Sequence, residues 1–325
     1  MTPVAFVLRA GHVSHRPRVT VVVSTRNHGG MLEELINGVW AQDLSDEAEL
    51  IVCDNASTDH TEALMRGAVD DARWPLTYIR LREDIGAAAG RNVGISFAAG
   101  EFIAFTDSDC VPSPGWLRTA LAGFSSNKIG IVQGRTVPIR TTFVPLFEHH
   151  IETTRLDGHF STSNIVYRRI ALAGLRFDPG CWYWEDTDLA WRVLESGWQA
   201  TFVDAALVAH QIIPLSGVRW ILWPRHFSNW PAKAARYPAF RQHLFLGVWV
   251  RPLHLFFDLA VLGVALAPWR PAALAATLPY ALTFGTVRGV GGRFPAAKVA
   301  AGVGWDLVAF VSLVAGSIRH RALVL

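Results

Sequence analysis

The chain has 325 residues, 51% of them hydrophobic and 18% charged, with a net charge of +3; that length holds one or two domains and buries a core. Its three cysteines, Cys53, Cys110 and Cys181, are odd in number and lack CxxC spacing, which excludes a disulfide framework or structural zinc site and fits a reducing, cytosolic setting. Charge is uneven: residues 1–212 carry 18 Lys/Arg against 25 Asp/Glu, whereas residues 213–325 carry 12 Lys/Arg against Asp258 and Asp306 alone, which points to a membrane or polyanion partner for the second part.

Residues 1–16, with His12, His15 and Arg16, show no periodicity and read as a flexible lead-in. The apolar stretch Val4–Leu8 is too short for a signal peptide, and Arg9 follows rather than precedes it. Between residues 17 and 212 strand-like and helix-like segments alternate. Val19–Ser24 is a β-branched strand, and residues 30–42 carry helical spacing through Leu32, Leu35, Ile36 and Val39. Glu49–Cys53 is a second strand. Asp59, three residues before Glu62, reads as a helix N-cap with a capping-box partner. Leu76–Arg80 is a third strand, residues 87–99 an Ala-rich helix, and Phe102–Thr106 a fourth strand. This alternation predicts an α/β domain with a mixed, mainly parallel sheet flanked by helices, in which ligands bind at the carboxyl ends of strands. The segments starting at Thr25, Asp54 and Asp107 all follow strands and hold the most chemistry.

The texture changes after residue 212. Within residues 213–250, Arg219, Arg225, Lys233, Arg236 and Arg241 interleave with Trp220, Trp223, Trp230 and Tyr237 and no acidic residue. That mixture suits a bilayer interface, although a basic helix packed on the first domain explains it too. Residues 251–325 hold three apolar blocks, Leu253–Ala267, Pro271–Val287 and Ala301–Ile318, each near or below the length that crosses a bilayer. A hairpin of the first two blocks is the favoured membrane attachment, with Arg288, Arg293 and Lys298 marking a cytosolic return loop.

The apolar run Phe102–Thr106 ends in Asp107-Ser108-Asp109. A strand's period of two puts Asp107 and Asp109 on one side, where they repel unless a cation shares them. Mg2+ or Mn2+, itself holding phosphate oxygens, is the usual solution; an ordinary turn after a strand is the competing reading. Asp54 ends the second strand and can accept the imide N–H of a uracil or thymine ring, which favours a UDP or dTDP donor; loop chemistry is its alternative. Gly86–Gly94 opens a helix with small residues that allow close approach, and Arg91 in their midst offers a fork for phosphate or for the acidic cluster. In Trp182-Tyr183-Trp184-Glu185-Asp186-Thr187-Asp188, a helix starting near Asp186 puts Glu185 and Asp186 at its N-terminal end. A carboxylate there suits a general base that deprotonates an acceptor hydroxyl, and N-capping describes one of the acidic residues as well. Trp182 and Trp184 offer stacking surfaces for a sugar, with core packing the competing reading, and Asp188 and Arg192, four apart, pair along the helix. His210, after Val203–Ala209, reads either as a structural histidine or as a third metal ligand.

In order, these segments resemble a family 2 glycosyltransferase of GT-A fold from about Val19 to His210. The resemblance rests on Val23-Ser24-Thr25-Arg26-Asn27, Asp54–Asp59, Gly86–Gly94 with Arg91-Asn92, Asp107-Ser108-Asp109, Ser163–Arg169, Glu185-Asp186 with Arg192, and His210. It implies a GT-A, Rossmann-like catalytic domain over residues 17–212 and a membrane-associated helical region after it, at the cytoplasmic face. It implies donor binding by Thr25, Asn27, Asp54, Arg91, Asp107 and Ser108, a metal on Asp109, Asp107 and His210, and a base at Asp186 with Glu185 beside it. Acceptor binding falls to Trp182, Trp184 and Arg192. The implied reaction is direct, inverting, metal-assisted transfer of one sugar from a nucleotide-diphosphate sugar to a glycan or lipid-linked acceptor, with no nucleic-acid partner. Asp84 departs from the family, which commonly has Asn there, and no Gln-x-x-Arg-Trp motif of processive synthases is present. A sugar nucleotidyltransferase would want a Gly-rich phosphate loop after the first strand, where Gly29-Gly30 is too short and too late. A non-catalytic nucleotide-sugar-binding module is the remaining alternative.

Overall fold

The computed structural model describes residues 3–11, 16–44, 47–139, 145–287 and 296–325. The chain divides into two compact units, one of Met1–Thr141 with His150–Ile212 and one of Thr142–His149 with Ile213–Leu325.

The first unit is built on a nine-stranded sheet. Its elements in chain order are β1 (Val4–Ala10), β2 (Val19–Thr25), α1 (Gly29–Trp40), β3 (Ala48–Asp54), α2 (Thr61–Asp70), β4 (Leu76–Leu81), α3 (Gly86–Phe97), β5 (Phe102–Phe105), β6 (Cys110–Pro112), α4 (Trp116–Ala122), β7 (Ile129–Pro138), β9 (Ile165–Arg168), α5 (Arg169–Leu172), α6 (Glu185–Glu195) and β10 (Gln199–His210); β8 (Glu148–His149) belongs to the second unit. The spatial order is β1-β4-β3-β2-β5-β9-β7-β10-β6. Strands β4, β3, β2 and β5 run parallel, as do β7 and β10, while β1, β9 and β6 are antiparallel insertions.

The sequence forces this layering. Val19, Val21, Val22 and Val23 of β2 are all fully buried, so the strand is covered on both faces. Leu32, Leu35, Ile36 and Val39 form the buried stripe of α1, each worth about 1.5–3 kcal/mol of burial. On the other face α3 lies against β2 because its glycines permit it: a Cβ on Gly94 would stand 2.5 Å from Val22 Cγ1, and one on Gly90 2.6 Å from Ser24 Oγ.

Two expectations are corrected here. The lead-in over residues 1–16 is not wholly irregular: Val4–Ala10 forms β1, antiparallel on the edge of β4, with Phe6 and Leu8 packed on the core and Phe6 edge-on to Tyr78 at 5.9 Å. Phe6 and Leu8 face one side while Val4 and Val7 pack against Ile51, Cys53, Ile79 and Leu81; His12 and His15 lie outside the described residues. Asp59 is not the N-cap of α2, which begins at Thr61 after His60. Instead its Oδ1 accepts from the Thr61 N–H at 3.0 Å and its Oδ2 from the N–H of Gly29, the first residue of α1, at 3.1 Å.

The second unit pairs β8 with β11 (Ile213–Pro214) and then holds α7 (Gly217–Leu222), α8 (Trp230–Arg236), α9 (Pro252–Leu266), α10 (Leu278–Val287) and α11 (Ala296–His320), joined in part by 3-10 turns. The favoured hairpin of the first two apolar blocks is not what the helices offer. α9 has 15 residues, and the second block breaks into a 3-10 turn over Pro271–Thr277 and the 10-residue α10, below the roughly 20 residues a span needs. Among the described residues one helix, Lys298–His320, is long and apolar enough to cross a membrane, with a mean hydropathy of 1.8. Lys298 thus belongs to α11 rather than to a return loop, while Arg288 and Arg293 lie outside the described residues.

Candidate active site

The carboxyl ends of β2, β3 and β5 converge. Thr25 of β2 stands in register with Asp54 of β3, and β5 runs out directly before Asp107. Thr25 is buried and its hydroxyl finds no hydrogen-bond partner among the described residues.

Asp54 is fully buried. Its Oδ1 accepts from the Ser57 N–H at 2.8 Å; its Oδ2 accepts from the Tyr78 hydroxyl at 2.6 Å and from Arg80, whose second guanidinium nitrogen donates to the Ser57 carbonyl at 2.6 Å. Burial, reinforced by Asp54, pushes the Tyr78 phenol far up; burial opposes the Arg80 charge, but Asp54 outweighs it and raises the Arg80 pKa. Asp54 thus has its carboxylate fully enclosed by these three partners. It thereby orients Arg80 and Tyr78 at the end of β3.

The loops after β2, β3 and β4 are knitted together. Asn27, at φ +56°, accepts the Thr58 N–H at 2.6 Å through its side chain and donates its own N–H to Ser57 Oγ at 2.9 Å. Asn27 is thereby a loop tie. Asp84, the departure from the family pattern, is compensated by an ion pair with Arg26 and accepts from the Asn55 amide and from the Gly86 N–H at 3.0 Å.

Asp107 and Glu185, 78 positions apart, meet on one cation. Arg91 donates to Asp107 Oδ1 at 2.8 Å and to Glu185 Oε1 at 3.2 Å, and its guanidinium lies 5.6 Å from the centre of the Phe177 ring. Burial opposes the Arg91 charge; Asp107 and Glu185 outweigh it, raising its pKa. Glu185 and Asp186 both lie in the first turn of α6, where the helix dipole favours anions. Asp186 Oδ1 accepts from the Thr187 N–H at 2.7 Å.

Beside Arg91 stands the second cluster. Asp109 Oδ1 lies 3.4 Å from His210 Nε2, while His210 Nδ1 is 2.7 Å from the Gln211 carbonyl oxygen. That carbonyl can only accept, so Nδ1 carries a proton and Nε2 is the atom turned to Asp109. Burial pushes the Asp109 carboxyl up and Asp107 adds to it, with His210 and His28 pulling the other way. Asp107, Asp109, Cys110 and His210 each place one donor atom within 4.8 Å of the others. Burial raises the Cys110 thiol far above its ordinary pKa, and its S–H points to the Ser163 carbonyl at 3.8 Å; a soft sulfur is in any case a poor ligand for a hard cation. Two carboxylates and one imidazole nitrogen make a donor set that fits Mn2+ or Mg2+. Ser108 Oγ, the remaining donor-side residue, lies 2.8 Å from His28 Nδ1.

The acceptor-side expectation divides. Trp182 is 72% exposed and Tyr183 46%, and with Ile85, Gly86 and Glu185 they line a cavity of about 190 Å3. Trp184 is buried in the core, and Arg192 is held by Asp188 at 2.7 Å and by the Arg176 carbonyl at 2.5 Å, so neither presents an acceptor surface. Tyr183, which sequence reasoning passed over, holds a strained φ of +65°. Arg80 and Tyr78 were also missed. Their shared strand face beside Asp54 was the available signal; His28 had none.

Residues 20–178 match glycosyl transferase family 2. The Pre-mycofactocin glycosyltransferase of Mycobacterium tuberculosis H37Rv is 29% identical over 215 residues, covering 61% of this chain and 43% of that protein. The chain therefore spans less than half the length of that relative. The GalNAc(5)-diNAcBac-PP-undecaprenol beta-1,3-glucosyltransferase of Campylobacter jejuni is 30% identical over 105 residues, 32% of this chain and 34% of its own. Among solved structures, the mannosyltransferase PcManGT from Pyrobaculum calidifontis, in complex with GDP-Man and Mn2+, shares the fold with a TM-score of 0.59 at 21% identity, covering 96% of this chain and 89% of its own. Through residues 20–178 the chain belongs to glycosyl transferase family 2.

Proposed function

We propose that the chain is an inverting glycosyltransferase that moves one sugar from a nucleotide-diphosphate sugar to a hydroxyl of a glycan or lipid-linked acceptor at the cytoplasmic face of a membrane. The observation that carries this reading is the meeting of Arg91 with both Asp107 and Glu185 beside the Asp109–His210 pair, at the carboxyl ends of parallel strands. Donor binding by a nucleotide sugar is in keeping with the GDP-Man complex of the structural neighbour. A lipid-linked acceptor draws support from the undecaprenol-linked substrate in the name of the Campylobacter jejuni relative, and membrane attachment from Lys298–His320.

In this mechanism the acceptor oxygen attacks the anomeric carbon as the bond to the diphosphate breaks, and Asp186 takes the acceptor's proton. Glu185 is committed to Arg91, which leaves the base role to Asp186. Arg91 fixes Asp107 and Glu185 against each other, Trp182 and Tyr183 form one wall of the acceptor side, and Thr25 and Arg80 lie at the nucleobase end. Asp109, His210 and Asp107 would hold a divalent cation, which supplies positive charge to the leaving diphosphate. The test is Asp186→Asn: nucleotide binding by calorimetry is kept, while release of nucleoside diphosphate from a panel including GDP-Man and UDP-GlcNAc falls by about 100-fold or more. Undiminished turnover would remove Asp186 from the role.

A further inference from the structure

A second concavity opens at the other end of the sheet, where β2 begins and β5 begins, about 20 Å along the strand from Thr25. It has a volume of about 510 Å3 and is lined by Arg16, Arg18, Arg168 and Arg169, with Glu101 and Ile170. Backbone bonds fix its walls: Glu101 N–H donates to the Pro17 carbonyl at 3.3 Å, Phe102 N–H to the Arg18 carbonyl at 2.9 Å, and Arg169 N–H to the Glu101 carbonyl at 2.8 Å. Arg168 is further locked over the rings of Phe102 and Phe124 at 5.0 and 5.2 Å.

The charges in this concavity do not cancel. Arg18 pairs with Glu47 at 3.4 Å and Arg168 with Glu101 at 3.3 Å. Among the described residues Arg16 donates only to the neutral Ala99 carbonyl at 3.1 Å, and none accepts from the Arg169 guanidinium. Two surplus guanidinium groups therefore share one preformed hollow, and their repulsion is relieved by an anion with several oxygens, which guanidinium forks bind bidentately. The volume exceeds that of ten water molecules at about 30 Å3 each, room for a diphosphate with a substituent rather than a lone small ion.

We propose that this hollow is a binding site for a phosphate-bearing anion of diphosphate size, separate from the acidic cleft and independent of divalent cations. The probe is inorganic pyrophosphate, titrated by calorimetry into the full chain in EDTA. One equivalent binds, and Arg16→Ala/Arg169→Ala weakens it by about tenfold or more, the loss of at least one charge-assisted hydrogen bond, while Asp109→Asn and the surface control Arg118→Ala leave it unchanged. Flotation with phosphatidylcholine vesicles, with and without phosphatidic acid, separates the sources: retention on phosphatidic acid that needs Arg16 and Arg169 assigns a lipid phosphate, and its absence beside pyrophosphate binding assigns a soluble one. The proposal is overturned if neither probe binds, if the double variant binds both like wild type, or if Arg118→Ala weakens binding equally.

Discussion

Arg91→Ala tests the core of the site most directly. The guanidinium is 9% exposed and its partners Asp107 and Glu185 are 21% and 19% exposed, so its removal leaves two largely desolvated carboxylates facing each other. Breaking a buried pair costs about 3–5 kcal/mol; the residual exposure of the carboxylates puts the expectation at the lower end, near 3 kcal/mol. For a unit of about 200 residues that corresponds to a fall in Tm of roughly 6–12 °C, readable by scanning calorimetry in EDTA. Arg91→Lys keeps the charge but cannot span both carboxylates, and should cost about half as much. Arg91→Ala/Glu185→Gln should recover about 1 kcal/mol relative to Arg91→Ala, because one unpaired charge is gone. A Tm for Arg91→Ala within 1 °C of wild type would refute the idea that Arg91 neutralises this cluster.

The metal site gives a second outcome with a defined sign. Folding raises the Asp109 pKa, chiefly through burial, so its contribution favours the folded state at acid pH and is lost as pH rises through the folded value. At neutral pH in EDTA, Asp109→Asn should leave Tm unchanged or raised, while the stabilisation of wild type by Mn2+ should vanish; a drop in Tm without metal contradicts this. Thr25→Val removes an unpaired buried hydroxyl, so stability should hold or rise by about 1 kcal/mol, while nucleotide affinity falls; unaltered affinity by calorimetry removes Thr25 from the donor site. Membrane attachment through the second unit predicts that the chain sediments with membranes and that truncation before Lys298 releases it; recovery of the full chain in the soluble fraction counts against it.

Much of the fold was legible because parallel strands announce themselves. The Val-rich β2 and the run before Asp107 are short continuous apolar stretches, as strands covered on both faces are, and α1 carries a helical stripe. β1 escaped because a short edge strand has weak alternation and gains its order from β4 rather than from its own residues. Within the site, spacing put Asp107 and Asp109 after a strand, and the small residues of Gly86–Gly94 announced a close approach whose partner, β2, only the structure names. Spacing could not show that Arg80 would saturate Asp54, or that Arg192 would be spent on Asp188, since both depend on partners supplied by tertiary packing. Trp184 illustrates the same limit: two tryptophans separated by one residue look alike in sequence, yet one is core and the other surface.

The bonds that Asp59 makes to the starts of both α1 and α2, together with the Asn27 links to Ser57 and Thr58, make two connecting segments into a single mechanical piece. Neither segment can swing aside without breaking contacts held by the other. Burial pushes the Asp59 carboxyl up, but the Thr61 hydroxyl and the two amides outweigh it and hold it below its ordinary value, so the clasp stays ionised across the physiological range. On the proposed reading, a nucleotide reaching the ends of β2 and β3 meets a rim already set in shape.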